Sequence, residues 1–146
     1  MSVPLEIEIE LPTAADTEAL GQRLAEGLGA GDLVVLAGPL GAGKTVLVRG
    51  LARGLGVSGA VTSPTFVIAR EHRPAREGGV PLVHVDAYRL GGAAELDDLD
   101  LDTDLAEAVV AVEWGEGVAE RLAARYVLVR LDRRPDDVRT AVVTRT

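Results

Sequence analysis

"DLVVLAGPLGAGKTVLVRGLARGLG", residues 32–56, contains the only lysine of a 146-residue chain that otherwise uses arginine for its permanent positive charges. Its first part, "DLVVLAG", is a short unbroken apolar run ending in glycine, the signature of a strand buried on both faces. Its last part, "KTVLVRGLARGLG", carries Leu47, Leu51 and Leu55 at helical spacing with Gly56 as a stop. Between them, Gly38, Gly43, Lys44 and Thr45 fit the phosphate-loop spacing G-x-x-x-x-G-K-[ST]. Glycines let the backbone curl so that successive N–H groups converge on phosphate oxygens. The helix starting at Lys44 adds the positive end of its dipole. Lysine is a compact charge on a flexible stem, whereas the planar fork of arginine does not fit so tight a loop. The Thr45 hydroxyl offers a ligand to an expected Mg²⁺. Strand, loop and helix in that order predict a nucleotide-binding α/β domain.

The rest of the chain agrees with that class. "LEIEIEL" (5–11) alternates like a half-exposed edge strand. A helix follows, with Leu20, Leu24 and Leu28 in phase, Thr13 and Asp16 as a capping box, and Gly29 or Gly31 as its stop. "TFVIAREH" (65–72) and "PLVHVDAYRL" (81–90) read as strands joined by a hairpin loop. The acidic stretch 92–108 suggests short helices, "AVVAVEW" (108–114) another buried strand, "GVAERLAARY" a short helix, and 127–133 with 138–144 a final strand pair around "RPDD". This alternation predicts a single, small, three-layer phosphate-loop domain spanning 1–146, with a central, mainly parallel sheet and antiparallel additions.

Composition narrows the function. A net charge of −8 is the wrong sign for a direct grip on nucleic acid. The absence of cysteine excludes disulfides and thiolate metal sites. The acidic N-terminus resembles neither a secretory nor a transit peptide, and no apolar run approaches the roughly 20 residues of a membrane helix. A cytoplasmic protein is expected.

A phosphate-loop enzyme also needs a carboxylate at the end of an apolar strand, to hold Mg²⁺ directly or through water. "LVHVD" ends in Asp86 and "VVAVE" in Glu113, and either strand can neighbour the loop strand. "VTSPTF" (61–66) is a candidate γ-phosphate-sensing loop or an ordinary turn. His84, on the face of Asp86, is expected to be structural. Trp114 is open to base stacking, a partner contact or core packing.

Taken together, "GPLGAGKT", "TSPTF", "HVDAYRL" and "VEW", in that order, resemble the TsaE (YjeE) family of small ATPases, whose strings run close to GDLGAGKT, SPTF, HFDLYRL and EW. The likeness covers roughly residues 12–140. It implies Mg²⁺-dependent ATP hydrolysis, weak alone, in support of the TsaB and TsaD proteins of tRNA threonylcarbamoyladenosine synthesis. TsaD transfers the threonylcarbamoyl group to an adenosine beside the anticodon. The TsaE component resets that complex and touches tRNA only through it.

The resemblance implies roles residue by residue. Gly38, Leu40, Gly41, Ala42, Gly43, Lys44, Thr45 and Val46 would cradle the phosphates. Thr45 and Glu113 would hold Mg²⁺, and Asp86 would activate water or contact the metal. Ser63 and Thr65 would form the switch-like loop, Tyr88 and Arg89 a structural or partner-facing segment, and Thr17 and Arg139 would approach the nucleotide. Pro39, Val46 and Ala87 depart from the usual strings without removing a phosphate contact made by lysine or later loop N–H groups. Two other classes compete: a small-molecule kinase with residues 71–80 as a lid carrying Arg73 and Arg76, and a nucleotide-gated interaction protein.

Overall fold

The computed structural model describes residues 5–39, 42–57, 69–74, 79–87, 106–114, 119, 123 and 125–145. Among these, seven strands form one sheet: β1 (Leu5–Leu11), β2 (Leu33–Ala37), β3 (Ala69–His72), β4 (Leu82–Asp86), β5 (Val109–Glu113), β6 (Tyr126–Arg133) and β7 (Arg139–Arg145). Two helices are described, α1 (Ala14–Ala25) and α2 (Lys44–Leu55). The strand order is β1-β7-β6-β2-β5-β4-β3. The central run β6-β2-β5-β4 is parallel, and β1, β7 and β3 join antiparallel at the flanks. This is the mixed α/β sheet expected from the alternation of elements.

The position of each strand follows from its side chains. β2 and β5 lie in the middle and bury all their residues, as their unbroken apolar runs require. β1 lies at the edge, where Glu6, Glu8 and Glu10 meet water and Ile9 turns toward the core. One sheet face, with Val34, Leu36, Leu82, Val109 and Ala111, packs under α1 and α2. The other face gathers Leu33, Val35, Val83, Val85, Val110 and Val112 against Ala119 and Ala123.

Thr13 caps α1 through the expected capping box, its backbone N–H donating to Asp16 at 2.8 Å. The expected stop at Gly29 or Gly31 is wrong, because α1 ends at Ala25. Gly27 and Leu28 close tighter turns onto Leu24 and Ala25, and the Gly29 N–H donates to the Asp32 carboxylate at 2.7 Å. Gly31, at φ 95°, turns the chain into β2. The glycines that sequence assigned to the helix stop build that connection instead.

The two helices pack with their backbones in contact. A Cβ on Gly21 would lie 2.3 Å from the Leu47 carbonyl oxygen, and one on Gly50 2.0 Å from that of Glu18. The two helices thus share one face of the sheet, and the first turn of α2 reaches the end of β5, where Thr45 meets Glu113. The expected β3–β4 hairpin is present, pairing Ala69 with Val85 and His72 with Leu82. "VTSPTF", most of the acidic stretch and most of "GVAERLAARY" lie outside the described residues.

Candidate functional site

The loop leaves β2 at Gly38, whose φ of 134° and close approach to β6 admit only glycine. A Cβ there would stand 2.1 Å from the Leu131 carbonyl oxygen. Ala42 is buried and its N–H donates to the Pro39 carbonyl at 3.2 Å. Gly43, at φ 106°, forms the N-cap of α2. The buried Thr17 of α1 packs against it, its methyl carbon 3.4 Å from where a Gly43 Cβ would be.

Lys44 is only 5% exposed. Its Nζ donates to the carbonyls of Gly38 at 2.6 Å and Pro39 at 2.9 Å, and sits 3.8 Å above the Trp114 ring centroid. Cation and indole face are thus in direct attraction. Burial lowers the Lys44 pKa below its usual 10.5, and the carboxylates of Glu113 and then Asp86 oppose that shift. Trp114 adopts φ 62°, a left-handed conformation uncommon for a bulky residue, and its N–H donates to the Leu36 carbonyl at 2.9 Å. This hydrogen bond ties the turn after β5 to β2 and places the indole beneath Lys44. The tryptophan that sequence left open therefore packs partly into the lower core and partly against the loop lysine.

Strand order distinguishes the two carboxylates. β5 is the direct neighbour of β2, with Leu36 opposite Glu113, and β4 lies one strand further out, with Asp86 opposite Glu113. Glu113 is 5% exposed, and Thr45 Oγ1 lies 3.3 Å from each of its carboxylate oxygens. Asp86 is half-buried beside it. The buried His84 reaches across the strand pair and hydrogen-bonds through Nε2 to Glu113 Oε2.

Lys44, Thr45, Asp86 and Glu113 thus converge at the C-terminal ends of the parallel strands, the usual ligand crevice of an open α/β sheet. Gly38, Pro39, Ala42 and Gly43 form the described part of the loop, Val46 sits half-buried in the first turn of α2, and Thr17 lies against the loop. Arg139 opens β7 at the same end of the sheet, where its guanidinium donates to the Asp137 carbonyl at 3.4 Å. Leu40, Gly41, Ser63, Thr65, Tyr88 and Arg89 lie outside the described residues. Of the two arginines of the candidate kinase lid, Arg73 pairs with Glu71 at 3.3 Å and Arg76 also lies outside them.

The donor set suits magnesium. It offers one hydroxyl and two carboxylates, all hard oxygens, and Mg²⁺ typically takes one or two carboxylates and completes its shell with water and substrate phosphate. Among the described residues no group of three or more His, Cys, Asp or Glu side chains forms an all-protein metal cage. Sequence reasoning missed the His84–Glu113 contact and the Lys44–Trp114 stack. The available signals were the two-residue spacing of His84 and Asp86 and the adjacency of Glu113 and Trp114.

Comparison with known proteins adds four findings. The family model described as "Threonylcarbamoyl adenosine biosynthesis protein TsaE" matches residues 11–141. The tRNA threonylcarbamoyladenosine biosynthesis protein TsaE of Mycobacterium tuberculosis (strain ATCC 25618 / H37Rv) is 60% identical over 129 residues, covering 84% of this chain and 77% of the relative. The protein of the same name from Bacillus subtilis (strain 168) is 37% identical over 130 residues, covering 88% and 79%. The crystal structure of Bacillus subtilis YdiB superposes with a TM-score of 0.78 at 29% identity, covering 99% of this chain and 88% of that one.

Proposed function

This chain belongs to the TsaE family, and from that premise we propose that it binds and hydrolyses ATP with Mg²⁺ to support TsaB- and TsaD-like proteins in threonylcarbamoylation of the adenosine next to the tRNA anticodon. The assignment to tRNA threonylcarbamoyladenosine biosynthesis rests on family membership. The observation that carries the hydrolytic reading is the convergence of Lys44, Thr45 and Glu113 at the loop, with Thr45 Oγ1 3.3 Å from both Glu113 oxygens.

In this reading the loop backbone and the α2 N-terminus would receive the phosphates, and Lys44, which rests on the Gly38 and Pro39 carbonyls, would turn its ammonium to phosphate oxygens. Trp114 holds the ammonium within reach while it moves. Thr45 and Glu113 would hold Mg²⁺, which would supply neutralisation of phosphate charge. Asp86, beside Glu113, accepts a hydrogen bond from the attacking water and sets its line of approach. The acidic chain leaves the grip on tRNA to its partners, and its location is cytoplasmic.

The reading is tested by equilibrium ATP binding and steady-state hydrolysis of Lys44→Ala and Glu113→Ala. Lys44→Ala abolishes binding. Glu113→Ala retains nucleotide affinity and loses Mg²⁺-dependent turnover. Unchanged turnover in either variant overturns the site assignment, and transfer of phosphate to a small acceptor in place of water replaces it with the kinase reading.

A further inference from the structure

A buried carboxylate needs hydrogen-bond donors for its oxygens. Among the described residues Glu113 has two: the Thr45 hydroxyl at 3.3 Å, and the His84 imidazole hydrogen-bonded to Oε2. His84 stands opposite Ala111 in the β4–β5 register, so its ring reaches Glu113 along the diagonal of the strand pair. The ring is fully buried, and its Nδ1 meets no hydrogen-bond partner among the described residues. A proton on Nδ1 would be an orphaned buried donor and would leave Nε2 a lone pair facing carboxylate oxygen. A proton on Nε2 satisfies the carboxylate and leaves only a lone pair unmatched.

From this geometry we infer that His84, as the Nε2–H tautomer, is the positioning residue of Glu113. The inference rests on the metal-dependent reading above. His84 holds Oε2 from within the sheet, so the carboxylate cannot rotate away from α2, and Oε1 is left to serve a metal that Glu113 and Thr45 would share. Hydrogen-bonded partners of metal ligands typically contribute 10–100-fold to metal affinity, and His84 has that place here. Thr45 alone does not fix the rotamer, because its hydroxyl stands equally far from both oxygens.

The test uses the full chain and two isosteric variants. The amide nitrogen of His84→Gln falls near the position of Nε2, whereas that of His84→Asn falls near Nδ1 and cannot reach Glu113. Mn²⁺ is titrated by electron paramagnetic resonance in the presence of a non-hydrolysable ATP analogue. His84→Asn weakens Mn²⁺ roughly 10–100-fold with metal-free nucleotide affinity unchanged, and His84→Gln recovers most of the loss. Equal affinities in both variants, or the reverse order, overturn the inference. Long-range ¹⁵N–¹H correlation on the wild-type ring supplies a readout that needs no variant: a proton on Nε2 supports the role and a proton on Nδ1 rules it out. Glu113→Gln separates the two levels. If it leaves Mn²⁺ affinity intact, the metal role of Glu113 fails. If it weakens Mn²⁺ while His84→Asn does not, only the role of His84 fails.

Discussion

Lys44 shows how much a single residue can disclose before any coordinates. Its position in the glycine spacing identified the loop, and its uniqueness among arginines marked a site where an arginine fork does not fit. Its resting contacts required the structure: two loop carbonyls and the face of Trp114. They predict that Lys44→Arg loses nucleotide binding much as Lys44→Ala does, checked by calorimetric titration, because a planar fork cannot follow the same path. They also predict a pH dependence. Burial lowers the Lys44 pKa from 10.5 in the free protein, and a bound polyphosphate favours the charged form and raises it again. Binding therefore takes up protons in the alkaline range, and nucleotide affinity falls as pH rises through the depressed value. Calorimetry in buffers of different ionisation enthalpy detects the uptake. Release of protons, or affinity rising with pH in that range, contradicts the assigned role.

At the scale of elements, strands whose two faces are both buried announced themselves as unbroken apolar runs, and the edge strand as an alternating one. Asp86 and Glu113 were legible as carboxylates at strand ends for the same reason. Their division of labour was not, because strand order and register are long-range properties absent from any local window. Only with β5 beside β2 does Glu113 face Thr45 while Asp86 takes the outer place. The end of α1 was misread because Gly29 and Gly31 look like helix stops, and their loop contacts with Asp32 and Ala108 are not visible in the pattern. The glycine contact between α1 and α2 was not anticipated either. It predicts that Gly50→Ala costs about 1–3 kcal/mol by overpacking, since its Cβ would meet the Glu18 carbonyl oxygen at 2.0 Å. Gly29→Ala, with nothing within 4 Å of the added carbon, serves as the comparison. Thermal and urea unfolding of the two proteins measure the difference. Equal stability would mean that the helices do not touch as described.

At the scale of the molecule, a net charge of −8 and a crevice at one end of the sheet point in one direction. On the proposed reading the chain offers a nucleotide site and leaves nucleic acid to its partners. It is expected to bind free tRNA no more tightly than nonspecific affinity allows, on the order of 10⁻⁴–10⁻⁶ M at physiological salt. Fluorescence anisotropy with labelled tRNA checks this, and submicromolar binding by the isolated chain would show that it grips its substrate itself. The fold class was readable from sequence because a buried strand, a glycine turn and a helix are compressed into one local pattern, and two residues that pattern singled out, Lys44 and Thr45, open α2 in the structure. The role of its partners is not local to this chain, so it is decided by reconstitution. The decisive measurement is the rate of ATP hydrolysis by the purified protein, alone and with TsaB- and TsaD-like proteins, with Lys44→Ala as control. The account predicts weak turnover alone, strong stimulation by the partners, and none with Lys44→Ala. Turnover indifferent to the partners would contradict it.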